Sequence, residues 1–278
     1  MSKVIFSPYR IKVIAKNTFL EAVRQKFFSF LVVIALGIIL SSQILRDFSF
    51  GAPELKFIAD FGFGAIVLFG SVLAIVATAQ LFFSEIENKT AITILAKPVF
   101  RSEFIAGKFL GVSGLLLVFT AMMTGILAVL LFWRESALME IDTEAFEAGR
   151  MVAYGDVLIY GLVQWLKFSI LCGITMVIAS FSNTNLYSVI ISFVVLLICH
   201  LQYLALDAWQ QIDFFPVRIA VFVLASVFPN FQMFNIGDQV ALGESIPAAI
   251  ILRIVAYALV YIVVFNLLAV FSFRKREI

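Results

Sequence analysis

Gly107-Lys108 is the pair in this sequence that most invites a chemical reading. A Gly-Lys followed by Ser or Thr, with another Gly five residues earlier, closes the loop that cradles nucleotide phosphates. Here the residue five positions before Gly107 is Ser102 and the one after Lys108 is Phe109. The pattern fails, so ATP hydrolysis by that route is excluded. His200 is the single histidine, which excludes a paired-histidine zinc site and leaves packing as its simpler role. Cys172 and Cys199 both fall inside apolar runs and read as small buried hydrophobes, not as a disulfide or a metal pair.

The remaining chemistry lies in polar residues embedded in apolar segments. Asp156, Tyr160, Gln164 and Lys167 recur at helical spacing on one face, and charge at depth in a bilayer is usually turned toward protein or water. Gln164 and Lys167 are therefore candidate pathway residues. In the competing reading that helix starts later and Lys167 snorkels to the outer headgroups. Gln80, Thr120, Thr124 and Asn266 are expected to make hydrogen bonds between helices.

The elements that must position these residues are membrane spans. Of 278 residues, 63% are hydrophobic and 14% charged, with 31 Phe, far from a soluble composition. Net charge +2 is too small and too dispersed to imply a nucleic-acid partner. Apolar length set against flanking charge predicts an all-α polytopic membrane protein with six transmembrane helices. They run at about Phe27 to Leu45, Phe61 to Phe83, Phe104 to Trp133, Val157 to Phe181, Leu186 to Leu206 and Ile246 to Phe273, each able to cross a hydrocarbon layer of roughly 30 Å.

With the N-terminus inside, Lys3, Arg10, Lys12, Lys16, Arg24, Lys26, Lys89, Lys97, Arg101, Lys108, Arg274, Lys275 and Arg276 are cytoplasmic. Only Arg46, Lys56, Arg134, Arg150 and Arg218 are then outside, a positive-inside bias that places both termini in the cytoplasm. Residues 134–156, rich in acids, become the outer loop. Residues 9–27 read as a basic amphipathic helix on the inner leaflet, with Lys12, Lys16 and Lys26 reaching lipid phosphates. No short apolar core with a cleavage site follows the first basic residues, so no removable signal peptide is expected. Within 207–245, the apolar stretch 217–228 is too short to span and predicts a re-entrant or interfacial hairpin; the competing reading, a seventh crossing, would put Arg274-Lys275-Arg276 outside, against the charge bias.

Between the second and third spans lies SEIENKTAITILAKPVFRSEFIAGK, Ser84 to Lys108. Thr90 to Ala96 is apolar enough for a short half-buried helix, Lys97-Pro98 breaks it, and Arg101-Ser102-Glu103 restarts a helix. Here the chain resembles the membrane subunits of ABC type 2 transporters. In that family acids after helix two are followed by a Thr, an apolar pair, a Pro-containing turn and a Gly-Lys at the foot of helix three. This sequence offers Glu85, Glu87, Thr90, Ile94-Leu95, Lys97-Pro98-Val99-Phe100-Arg101 and Gly107-Lys108 in that order. It departs at Lys89, where Gly often stands, and at Phe100, where Ser is common. Pro229-Asn230-Phe231, Gly237-Asp238 and the closing Phe273-Arg274-Lys275-Arg276-Glu277 are similar to the branch of the nitrous-oxide-reductase maturation permease.

The resemblance implies one permease domain over 1–278, without enzymatic activity or a cofactor of its own. ATP would be bound by a separate ATPase subunit docking on 84–108, through Glu85, Glu87, Lys89, Thr90, Leu95, Pro98, Arg101, Gly107 and Lys108. It further implies a second permease copy or paralogue, a place in the inner (plasma) membrane and outward transport. The substrate stays open. Against this stand an ATP-independent channel or secondary carrier, which would show internal repeats and buried ionisable residues, and a membrane assembly scaffold.

Overall fold

The computed structural model describes residues 7–45, 54–87, 100–141, 146, 150–209, 214–219 and 227–274. The described residues contain helices and turns and no strand. Among the described residues helices run in chain order as α1 Pro8–Arg24, α2 Lys26–Leu45, α3 Glu54–Glu87, α4 Arg101–Ile141, α5 Tyr154–Phe181, α6 Asn185–Trp209 and, after a 3-10 turn at Phe231–Phe234, α7 Gly237–Ala241 and α8 Ala248–Arg274. Six of these, α2 to α6 and α8, are long and apolar enough to cross a membrane. The chain is a multi-pass membrane protein.

Burial sorts the six. The α5 span is 83% buried and that of α3 67%, whereas α2, α6 and α8 are buried over only 22%, 22% and 17%. A helix apolar all round and enclosed by others is a core helix; one apolar all round with little enclosure faces lipid. Thus α5 forms the axis, α3 and α4 pack against it, and α8 closes its far side, while α2 covers α3 and α6 flanks both α3 and α5.

α3 finishes and α4 begins at one end of the bundle, the Arg101 end; α4 finishes and α5 begins at the other, the Glu135 end. α4 has 41 residues, about 60 Å at helical rise and nearly twice the hydrocarbon thickness, so it projects well beyond the bilayer. Two boundaries differ from the sequence reading: α3 starts at Glu54 instead of near Phe61, and α4 continues past Trp133 to Ile141. Their projecting turns are tied by Arg134, which donates to both carboxylate oxygens of Glu54 at 2.6 and 3.0 Å. Such a bidentate pair fixes geometry more firmly than a single ionic contact.

The Glu135 end is closed by a second device. Glu135 is fully buried and accepts the Met151 and Val152 backbone N–H groups at 2.6 and 3.1 Å, the Tyr154 hydroxyl and Arg150. Arg150 also lies over the Phe132 ring at 4.0 Å. A carboxylate read as one of several solvated outer acids is instead the peg that folds residues 150–154 back onto α4.

α1 is not a continuation of α2. Gln25 between them is extended, at φ −68° and ψ 130°, and α1 packs chiefly along the first turns of α4. A Cβ built on Gly107 would stand 2.7 Å from Ile14, and one on Gly111 would stand 2.6 Å from Thr18 and 2.7 Å from the Ala15 carbonyl. Glycines one turn apart let the two backbones meet at a distance that a side chain would forbid.

Candidate functional site

At the Arg101 end three helices converge on the point where the chain leaves and re-enters the bundle. Phe100 caps α4, and Glu103 in the first turn reaches back to accept its N–H at 3.1 Å, the reciprocal half of a capping box. The same carboxylate, fully buried, accepts the Ser7 N–H at 2.6 Å and faces Arg10 at 3.5 Å. The first turn of α1 is thereby bolted to the first turn of α4. A buried carboxylate is tolerated where hydrogen bonds and a cation replace its lost hydration; Glu103 has both.

Arg101 and Lys108 join the other helices to this point. The Arg101 guanidinium donates to the Phe273 and Arg274 carbonyls at 2.9 and 2.7 Å, capping α8 at the end where its dipole favours a cation. Lys108 is fully buried and donates to the Leu81 carbonyl of α3 at 2.9 Å. Beneath them the rings of Phe82, Phe104 and Phe273 pack with centroids 5.6 Å apart in both Phe273 pairs, and Ser84 donates to Glu21 of α1 at 3.2 Å.

Of the residues singled out from the sequence, the structure therefore brings Arg101, Gly107 and Lys108 into one junction. All three turn toward neighbouring helices. Glu85 and Glu87 lie in the last turn of α3, with their side chains outside the described residues; Lys89, Thr90, Leu95 and Pro98 also lie outside them. Sequence reasoning missed Glu103. Its signal was available as an acid three residues after a capping position, the pattern of a helix start.

A second group sits halfway along α5. Gln164 donates to the Phe234 carbonyl at 2.9 Å, and the Lys167 ammonium lies 5.7 Å from the centre of the Phe231 ring. His200 of α6 meets Phe231 edge-on, with ring centroids 5.6 Å apart. Asn230 caps the 3-10 turn by accepting the Gln232 N–H at 2.9 Å, and its own N–H donates to the Tyr257 hydroxyl at 2.8 Å. Pro229-Asn230-Phe231 thus anchors an irregular segment against the bundle core between α5, α6 and α8. Irregular backbone at such a level is sustained only where protein satisfies its polar groups.

Lys167 is 3% exposed on a helix that begins at Tyr154, so the alternative of a late-starting helix with a snorkelling lysine is not what forms. The stripe from Tyr160 to Lys167 faces protein. Thr120 and Thr124 correct the sequence reading: their hydroxyls donate to the Leu116 and Thr120 carbonyls of their own helix, and Asn266 likewise donates to Ile262. Hydroxyls and amides inside an apolar helix find the carbonyl one turn back before they find a neighbour. Cys172 and Cys199 are free, buried thiols.

A family model described as an ABC-2 family transporter protein matches residues 19–199. The chain belongs to that family. No curated protein matches it. The ABC-2 match takes in only the C-terminal end of α1 from Phe19, all of α2 to α5 and most of α6, so Glu103, Gly107 and Lys108 and the Lys167 face of α5 lie inside it. The Asn230 turn, α7 and α8 lie beyond it. An ABC-2 membrane protein with six apolar helices has the makings of a transporter permease.

Proposed function

We propose that this chain is the permease subunit of an ATP-binding-cassette exporter, driven by a separate ATPase subunit and paired with a second permease copy or paralogue. ABC-2 permeases normally work with such an ATPase. Residues 84–108 form the cytoplasmic coupling segment in this reading, and both termini are cytoplasmic in the inner membrane, as the bias of Lys and Arg toward the Arg101 end supports. The Asn230 segment would be the ascending arm of a re-entrant hairpin. Its motifs also support a place near the nitrous-oxide-reductase maturation branch.

The observation that carries the reading is the way both roots of that segment are fastened. Its α4 root is joined to α1 by Glu103, to α8 by Arg101 and to α3 by Lys108. A push delivered between residues 88 and 99 therefore reaches four helices at once through short polar links. Glu85, Glu87, Lys89, Thr90, Leu95 and Pro98 would meet the ATPase, while Arg101, Gly107 and Lys108 pass its motion on. Gln164 and Lys167 would border the path. A coupling claim needs an element that both sites bias, and the rigid unit of α1 with the foot of α4 is that element.

Co-purification tests the reading. The wild-type chain, co-expressed with a cognate ATP-binding-cassette ATPase, should retain that ATPase through affinity purification, and the pair Glu85→Lys with Glu87→Lys should lose most of it. ATPase retention undiminished by the double reversal would remove the docking assignment.

A further inference from the structure

A cleft of about 550 Å³ opens on the side of the bundle between α3, α6 and the Asn235–Asp238 turn. Its wall on α3 is a single stripe in which Asp60, Gly64, Val67, Leu68 and Ser71 succeed one another at helical spacing. The polar groups are not spread evenly. Asp60 and Asp238 both line the end nearer Glu135, and Lys56 stands one turn before Asp60 on α3. The middle is aliphatic, with Leu68 and Leu197 57% and 62% exposed and nothing near the position a Gly64 Cβ would take. At the deep end the hydroxyl of Ser71, itself 4% exposed, has no hydrogen-bond partner among the described residues. His200 also lines the cleft.

We propose that this cleft binds an amphipathic amine, with its ammonium head between Asp60 and Asp238, its aliphatic chain along Gly64, Leu68 and Leu197, and a hydroxyl or amide at the far end bonded to Ser71. Two carboxylates against one ammonium leave surplus negative charge at the mouth, so a cationic head is favoured there and an anionic one repelled. The carboxylates at one end and the unpartnered Ser71 hydroxyl at the other fix the orientation. An unpaired buried hydroxyl is a cost that a ligand group removes. The spacing from Asp60 to Ser71 is about 16 Å at helical rise, the reach of an extended chain of roughly a dozen carbons. The inference rests on the permease reading for calling this occupant a substrate, but binding to the cleft needs no ATPase.

Equilibrium binding of radiolabelled ω-aminododecanol to the chain in phosphatidylcholine nanodiscs, corrected for uptake by empty discs, tests it. Saturable binding is expected, with dodecylamine weaker and ω-hydroxydodecanoate weaker still. Asp60→Asn with Asp238→Asn should weaken it about tenfold or more, the scale of a lost charge-assisted hydrogen bond. Ser71→Ala should abolish the preference for ω-aminododecanol over dodecylamine. Leu68→Trp, at a lipid-exposed position that packing does not need, should block binding while the chain stays monodisperse. No saturable excess, equal binding of the carboxylate probe, or undiminished binding by the double Asn or the Trp variant overturns the proposal. Since the measurement omits the ATPase, any of these outcomes leaves the coupling reading standing, and a loss of ATPase retention leaves the cleft standing.

Discussion

Lys167 and Glu103 are both buried charges, and the structure treats them in opposite ways. Glu103 is met by two backbone N–H groups and Arg10, so its desolvation is compensated locally. Lys167 faces an aromatic ring and, among the described residues, has no carboxylate within ion-pair reach. A ring offers a cation about 2 kcal/mol when desolvated, less than the several kcal/mol that burying an ion costs. The balance is unfavourable to folding, which marks Lys167 as retained for function and not for stability. Lys167→Met, which preserves length and removes charge, should raise resistance to denaturant by about 1–3 kcal/mol. The same variant, assembled with its ATPase, should lose substrate-stimulated hydrolysis. Lower stability with stimulation intact would show that the lysine is structural. From sequence the two charges were legible to different degrees: Lys167 stood out in an apolar run, whereas Glu103 looked like one more acid in a polar segment because its burial depends on α1, which arrives from far away in the chain.

At the scale of elements, the docking of α1 on α4 is set by two glycines. Family resemblance reads Gly107, with Lys108, as the foot of helix three, yet the Gly107-x3-Gly111 spacing alone is the small-residue pattern by which helices approach closely. The amphipathic character of α1 pointed to a lipid surface, while the partner of its apolar side lay in tertiary contacts no local pattern encodes. Gly111→Ala should break this docking, since the new methyl would stand 2.7 Å from the Ala15 carbonyl, a backbone atom that cannot rotate aside. Overpacking of this kind costs about 1–3 kcal/mol. Hydrogen exchange should therefore quicken about tenfold or more across α1 amides while α5 stays protected. Gly125→Ala on the same helix is the control, because nothing lies within 4 Å of its added Cβ. That change removes a helix-weakening glycine and should stabilise α4 by up to about 1 kcal/mol. Equal effects from the two substitutions would mean that helix propensity, not close approach, governs this region.

For the whole molecule, length and apolarity sufficed to find the six long apolar helices among the described residues, because a bilayer imposes one requirement on every span and the sequence must meet it locally. Their ends were harder. α3 and α4 run on into water because Arg134 meets Glu54 and Glu135 gathers residues 150–154, and such pairings between distant residues leave no periodic trace. Sidedness is a further global property, and coupling to a cytoplasmic ATPase requires the Arg101 end to face the cytoplasm. Both native cysteines are fully buried, so single added thiols report their own location with little background. Phe100, 39% exposed at the Arg101 end, and Met151, 51% exposed at the Glu135 end, are suitable sites because neither side chain is a core contact. In intact cells an impermeant maleimide should label Met151→Cys and spare Phe100→Cys until the membrane is permeabilised. The reverse pattern would place the segment from 84 to 108 beyond the reach of any nucleotide-hydrolysing partner. The junction of Glu103, Arg101 and Lys108 would then be a static brace, since no source of work would lie on its side of the membrane.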